Sequence, residues 1–252
     1  MTLQPCAKFI FLLVFLTALN IHVNAQQKID SNFHLYVLVG QSNMAGRGEI
    51  SHEFRDQSHP NVFMLNKDDQ WVKAKHPLHF DKPPVVGVGP GLAFGISMAK
   101  TDSVVKIGLI PCAVGGSSID DWRPGAYYTG TKTHPYDDAL IRIKKSMKSG
   151  IIKGVLWHQG EADRCPEKAK EYLHHLTELI KRIRLEVGNP ELPFIVGELG
   201  RYLPNCNNIN RELSKVPLKI PYTAVVSSEG LVDKGDSTHF DSPSSTILGH
   251  RF

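Results

Sequence analysis

Ser42 stands in the segment Gly40-Gln-Ser-Asn-Met-Ala-Gly46, and a serine hydroxyl attacks an ester only when a positioned base takes its proton. It lies two residues beyond Gly40, which ends an apolar run, among residues that favour a tight turn and with a helix expected to follow. There the hydroxyl and the serine's own N–H face the same space at the edge of a sheet. The same placement also suits a serine that only caps a helix. Met44 replaces the second glycine of the Gly-x-Ser-x-Gly elbow, so this is not that motif. Glu161 and Asp163 could be read as the paired carboxylates of glycoside hydrolysis. Their closeness in sequence does not set the carboxyl separation, and bracing of a loop is the simpler expectation. Cys112 lies in the apolar run Ile110-Pro-Cys-Ala-Val114 and reads as a small buried hydrophobe. Cys165 and Cys206 both fall in expected loops and form the expected pair if an oxidising compartment closes one bridge. No cysteine cluster or His-x-x-x-His spacing is present, so no metal and no cofactor are expected.

The elements that would position these groups alternate. His34–Val39, Val62–Leu65, Val104–Ile110, Ile151–Trp157, Phe194–Gly197 and Thr223–Ser227 are short apolar runs rich in branched side chains. Runs apolar on both faces suit a parallel sheet covered by helices. Between them lie helical patterns over Gly91–Lys100, Asp137–Ser149 and Pro166–Val187. In the last, Tyr172, Leu173, Leu176, Leu179, Ile180 and Ile183 recur at helical spacing, with Asp163 or Cys165 as its cap. Lys73–Gly91, rich in Pro and Gly, reads as a long surface loop. The expected fold is an α/β three-layer α/β/α sandwich with a mainly parallel sheet of about five strands. In such sheets ligands bind beyond the carboxyl ends of the strands, which singles out the segments after Val39, Ile110, Trp157 and Gly197.

Four segments in order, Gly40–Gly46, Cys112-Ala-Val-Gly-Gly-Ser-Ser-Ile-Asp-Asp-Trp122, Trp157-His-Gln-Gly-Glu-Ala-Asp163 and Asp236-Ser-Thr-His-Phe240, resemble the blocks of the SGNH hydrolases. The version is that of carbohydrate esterases such as acetyl xylan esterases and sialate O-acetylesterases. The resemblance implies Ser42 as nucleophile, His239 as base and Asp236 as the carboxylate that orients it. It implies an oxyanion hole of the Ser42 N–H, a glycine N–H and a side-chain amide, which map to Ser42, Gly116 and Gln159. Gly115 is adjacent, and the choice between the two glycines stays open. Gln159 precedes Gly160-Glu161 where much of the superfamily has an asparagine, a departure that narrows the subfamily. Asp56-Gln-Ser-His59 has the same Asp-x-x-His spacing, but no expected strand feeds it, whereas Asp236–His239 follows the last one. Gln41, Asn43, Trp122, Arg123, His158 and Glu161 are candidate substrate contacts, with Tyr127 and Tyr128 beside the aromatic wall that Trp122 and Arg123 would make.

The implied activity is hydrolysis of O-acetyl esters on carbohydrate, acetyl xylan or a related polysaccharide, through an acetyl-enzyme, with O-acetylated sialic acid as an alternative substrate. The rival from another class is a non-catalytic carbohydrate-binding domain on the same fold. The chain has 252 residues and a net charge of +4, with basic residues scattered among acids, so nucleic acid is not an expected partner. Lys8, the apolar run Phe9–Leu19 and Val23-Asn-Ala25 have the order of a secretory signal peptide. Residues 1–25 are therefore expected to be removed on the way to a secreted or periplasmic location, leaving a single domain over 26–252 without stable membrane insertion. Nothing in the sequence bears on oligomeric state.

Overall fold

The computed structural model describes Met1 and residues 29–252; otherwise the export segment expected over residues 1–25 lies outside the described residues. Seven strands, β1 (Phe33–Gly40), β2 (Val62–Leu65), β3 (Trp71–Lys73), β4 (Lys106–Pro111), β5 (Ile151–His158), β6 (Phe194–Gly197) and β7 (Thr223–Val226), form one sheet in the order β3-β2-β4-β1-β5-β6-β7. Every pairing is parallel except β2 with β3. The helices are α1 (Ser42–Ala45), α2 (His52–Arg55), α3 (Pro90–Thr101), α4 (Pro135–Ser146), α5 (Pro166–Val187), α6 (Cys206–Leu213), α7 (Val216–Lys219) and α8 (Ser242–Arg251).

The expected α/β class stands, with seven strands in place of about five. β1, β2, β6 and α5 fall where the apolar patterns put them. The run read as starting at Val104 enters the sheet only at Lys106, and Val104 itself is exposed. β3 has no pattern of its own, and its three residues hold their place by antiparallel pairing with β2.

Alternation along β1 sorts the layers, because successive side chains of a strand point to opposite faces. Leu35, Val37 and Val39 pack with Ala139, Ile143, Leu176, Leu179 and Ile180 of α4 and α5. Tyr36 and Leu38 pack with Leu92 and Phe94 of α3. Helix α8 lies against α3 so closely that a Cβ on Gly249 would stand 2.2 Å from the Pro90 carbonyl oxygen. Arg142 of α4 donates to the Leu65, Asn66 and Pro111 carbonyls, tying the ends of β2 and β4 together.

Two expectations fail here. The segment between β3 and α3 is not a surface loop: Leu78 and His79 are buried, and the Asp81 carboxylate is nearly enclosed beside Arg47. Cys165 and Cys206 do not pair, and Cys112 is free as well. Cys165 is exposed in the N-cap position of α5, where its side chain makes no capping bond, while Cys206 is buried as the first residue of α6. Burial raises the Cys112 thiol to about 11, as an inert core cysteine requires.

The central strands β4, β1 and β5 end side by side. Gly40 makes this possible: its φ is +130°, and a Cβ there would stand 2.1 Å from the His158 carbonyl oxygen. Gly40→Ala should therefore combine a disfavoured backbone with overpacking and cost at least about 3 kcal/mol of stability. Urea titration of the variant measures it, and a midpoint equal to that of the unaltered protein would refute the constraint.

Candidate active site

Ser42 opens α1, the single turn after β1, and its hydroxyl faces the carboxyl edge of the sheet. Its Oγ lies 3.0 Å from His239 Nε2, and His239 Nδ1 lies 2.8 Å from Asp236 Oδ2. The carboxylate beside Nδ1 sets the tautomer: Nδ1–H donates to Asp236, so Nε2 accepts from the serine hydroxyl. Asp56 and His59 take no part, and the His59 ring accepts from the Asn61 N–H instead.

The Asp236–His239 turn works because the two carboxylate oxygens of Asp236 do separate jobs. Oδ1 accepts from the backbone N–H groups of Thr238 and His239, at 3.0 and 2.8 Å, which shapes the turn. Oδ2 then meets the ring. Burial pushes the Asp236 pKa up, but the bonds from the His239 backbone and ring and from the Thr238 N–H outweigh it and hold the group at about 2. Ser237 sits at φ 56°, and its N–H is taken by Asp233.

Asn43 fastens this turn to α1. Its Nδ2 donates to the Thr238 carbonyl at 3.1 Å and to Glu161 Oε1 at 2.6 Å, and its Oδ1 accepts from the Phe240 N–H at 3.1 Å. Both ends of the amide are therefore used within the protein. Asn43 is a clamp, not the substrate contact expected from its place in the motif.

A cleft over Ser42 is lined by Gln41, Arg47, Lys82, Gly115, Gly116, Glu161, Arg164 and His239, among others. The Gly115 N–H donates to Asp81 Oδ2 at 2.7 Å and is spent. The N–H groups of Ser42 and Gly116 have no backbone or side-chain acceptor among the described residues. Gly116 has φ +87°, a conformation that L side chains rarely adopt. A more enclosed, largely apolar hollow lies elsewhere, lined by residues that include His79, Cys112 and Arg142, but Ser42 does not reach it. Among the described residues, no group of three His, Cys, Asp or Glu side chains is placed to hold a metal ion.

Several expected contacts are core residues. Gln159 is wholly buried and absent from the cleft wall. The two hydrogens of its Nε2 are spent among Asp163 Oδ2 at 2.5 Å, the Ser117 carbonyl at 3.1 Å and Gln41 Oε1 at 3.2 Å, and it offers no amide to an oxyanion. Trp122 is buried, donates to Ser117 Oγ and packs edge-on against Trp157 at 5.3 Å. His158 is buried too; its Nε2–H donates to the Glu198 carbonyl, and burial lowers its pKa so that it stays neutral. Arg123 is exposed and pairs with Asp120 away from the cleft, and Tyr127 stacks near His134. Tyr128 does reach the site, donating to the Gly115 carbonyl and standing against Gly116. Glu161 lines the cleft as expected, with one oxygen committed to Asn43.

Arg47 was not singled out in the sequence, although it directly follows the first block. It is buried, donates to the Gly46 carbonyl and binds Asp81 at 2.7 Å. Lys82 and Arg164 were missed because single basic residues in loops carry no pattern.

Removing the Asn43 amide frees the turn that carries His239. Asn43→Ala should cost about 1–3 kcal/mol of stability, and labelling of Ser42 by a fluorophosphonate should slow on the order of 10²-fold. Mass spectrometry of the labelled protein reads the rate; an unchanged rate would mean that the turn holds His239 unaided.

Comparison with known proteins agrees with this geometry. The family model for carbohydrate esterases described as sialic acid-specific acetylesterases matches residues 32–252. A protein of Arabidopsis thaliana described as a probable carbohydrate esterase is 34% identical over 250 residues, covering 89% of this chain and 90% of its own. The crystal structure of that plant protein superposes with a TM-score of 0.76 at 31% identity, over 87% of this chain and 95% of its own. The NanS crystal structure superposes with a TM-score of 0.70 at 18% identity, over 89% of this chain and 97% of NanS, a likeness of fold. A family match over nearly all the described residues and a relative alike over 90% of its length lead to one assignment: the chain belongs to the SGNH-like carbohydrate esterases of the sialic acid-specific acetylesterase family.

Proposed function

We propose that this carbohydrate esterase is a serine O-acetylesterase in which Ser42 is the nucleophile, His239 the general base and Asp236 its orienting carboxylate. The observation that carries the reading is the unbroken chain Asp236–His239–Ser42, with links of 2.8 and 3.0 Å, opening on a cleft. Ser42 Oγ attacks the acetyl carbonyl carbon while His239 Nε2 takes the hydroxyl proton. The negative charge that forms on the carbonyl oxygen is met by the free N–H groups of Ser42 and Gly116. On collapse, the bond to the sugar oxygen breaks and His239 returns the proton to that oxygen. Water, deprotonated by His239, then hydrolyses the acetyl-enzyme and releases acetate.

Asp236 stays ionised down to about pH 2, so it can stabilise the imidazolium throughout the working range. The glycosidase reading of Glu161 and Asp163 loses support, since Glu161 is bound to Asn43 and Asp163 is fully buried against Gln159. The non-catalytic reading would call for a missing or displaced member of the chain, and all three are in contact.

Two substrate classes suit the cleft. Acetylated xylan or a related neutral polysaccharide suits its open, partly polar wall. An acetylated acidic sugar, O-acetyl sialic acid among them, is favoured by Lys82 and Arg164, two cations on the wall that make no ion pair among the described residues. We further propose that residues 1–25 direct export and are then removed; the basic, apolar and small-residue order of Lys8–Ala25 supports this.

Ser42→Ala should lower acetate release by at least about 10⁴-fold without loss of fold. Acetate release from acetylated xylan and from O-acetylated sialic acid, assayed side by side, separates the two substrate classes. Equal turnover by Ser42→Ala would exclude the serine mechanism. The mature protein recovered from the outside of the producing cell should begin at Gln26; an intact Met1 on that protein would refute cleavage.

A further inference from the structure

The cleft over Ser42 does not end at Arg47. Arg47 also lines a second, wider depression, with Glu49, Ser51, Phe54, Lys234 and Asp241 among its walls. The two enclose about 390 and 600 Å³, each in the range of small-ligand sites. The course of the chain joins them. One rim runs from Ser42 and Arg47 in the cleft to Glu49 and Ser51 in the depression. The other runs from Thr238 and His239 to Asp241, with Lys234 alongside because its N–H donates to the His239 carbonyl at 2.9 Å. The rims meet in a floor: Ser242 Oγ donates to the Glu49 carbonyl at 2.7 Å, and a Cβ on Gly48 would stand 2.6 Å from the same Ser242 oxygen. Ser42 and His239 therefore lie at one end of a trough.

The polar side chains of the outer part are not spent on holding the protein together. Ser51 is the N-cap of α2, yet its side chain makes no capping bond. Glu49 is exposed, and its carboxylate takes part in no hydrogen bond or ion pair among the described residues. Asp233 binds the Gly235 and Ser237 N–H groups through Oδ2 alone, which leaves Oδ1 as an acceptor. Lys234 is exposed, with its ammonium 3.7 Å from Asp236. Phe54 and Pro243 add apolar surface. Acceptors and donors set around a little apolar surface suit the hydroxyls and the C–H face of a sugar ring. Three carboxylates, Glu49, Asp233 and Asp241, against the one ammonium of Lys234 disfavour an anionic ring there.

We propose that this depression is a second sugar subsite, and that the substrate is an acetylated oligosaccharide or polysaccharide whose unit seated there, next to the acetylated residue, is uncharged. The inference rests on the esterase reading of Ser42 and adds to it the length of glycan that is read and the charge of the neighbouring unit.

Partially acetylated xylotetraose or mannotetraose should be hydrolysed with a kcat/KM at least about tenfold above that of its acetylated methyl monoglycoside, because several modest added hydrogen bonds multiply. Glu49→Ala combined with Ser51→Ala should remove most of that advantage and leave the monoglycoside within about twofold. Both side chains lie on the surface without internal bonds, so the double variant should fold. A ratio near one for both tetrasaccharides in the unaltered enzyme, or an advantage that survives the double variant, would overturn the inference and leave the esterase reading standing. Absence of Ser42-dependent hydrolysis of any of these esters would overturn the esterase reading instead. Calorimetric titration with the unacetylated tetrasaccharides then decides the subsite. At least one should bind the unaltered protein, and bind the double variant about fivefold or more weakly. No binding of either, or equal binding to both proteins, would overturn the subsite.

Discussion

The side chain of Asn43 is where three stretches of chain that share no strand come together. One amide holds the turn bearing His239 by the Thr238 carbonyl and the Phe240 N–H, and it holds Glu161 at the exit of β5. Asn43 itself follows Ser42 in α1. Ser42, His239 and the floor of the cleft thus share a single support, and an amide suits it because one end donates while the other accepts. A carboxylate could not replace it beside Glu161, since two acceptors would face each other without a proton between them.

Around that point the sheet supplies position and the loops supply chemistry. β4, β1 and β5 are adjacent, so the segments leaving them open onto one edge. The Asp236–His239 turn comes from the far side, after the edge strand β7, and is returned to the centre by α8 lying on α3. Asp241 begins that return, its side chain accepting from the Ser244 N–H at the start of α8. The Arg47–Asp81 pair does a similar service on the opposite wall. Asp81 occupies the Gly115 N–H, which leaves Gly116 as the glycine able to face an oxyanion.

Much of this was legible in the sequence, and what was not has identifiable causes. α5 carries a long periodic pattern and β1 an unbroken apolar run, and each can be read from its own residues. β3 spans three residues and is defined by a neighbour, so no window on its own sequence reveals it. Residues 74–89 look like a solvent loop because of their Pro and Gly content, yet the ion pair that draws them inward involves a partner 34 positions away. The Asp-x-x-His turn and Ser42 were recognisable as types in order. Whether a polar or aromatic residue beside them faces solvent or core was not. Trp122, His158 and Gln159 stand next to cleft residues and point away from the cleft into the protein. Direction at a strand end depends on the local turn, and Gly160, at φ +141°, is one such turn that residue type alone does not reveal.

Ser42 and His239 are 197 positions apart, with all of the sheet after β1 threaded between them. During synthesis the strand that leads into Ser42 therefore emerges long before His239 exists. Until the last loop closes and α8 docks, the Ser42 hydroxyl has no imidazole beside it. Assembly of the Ser42–His239 contact is thus timed by the completion of folding: a partly made chain holds Ser42 without its partner.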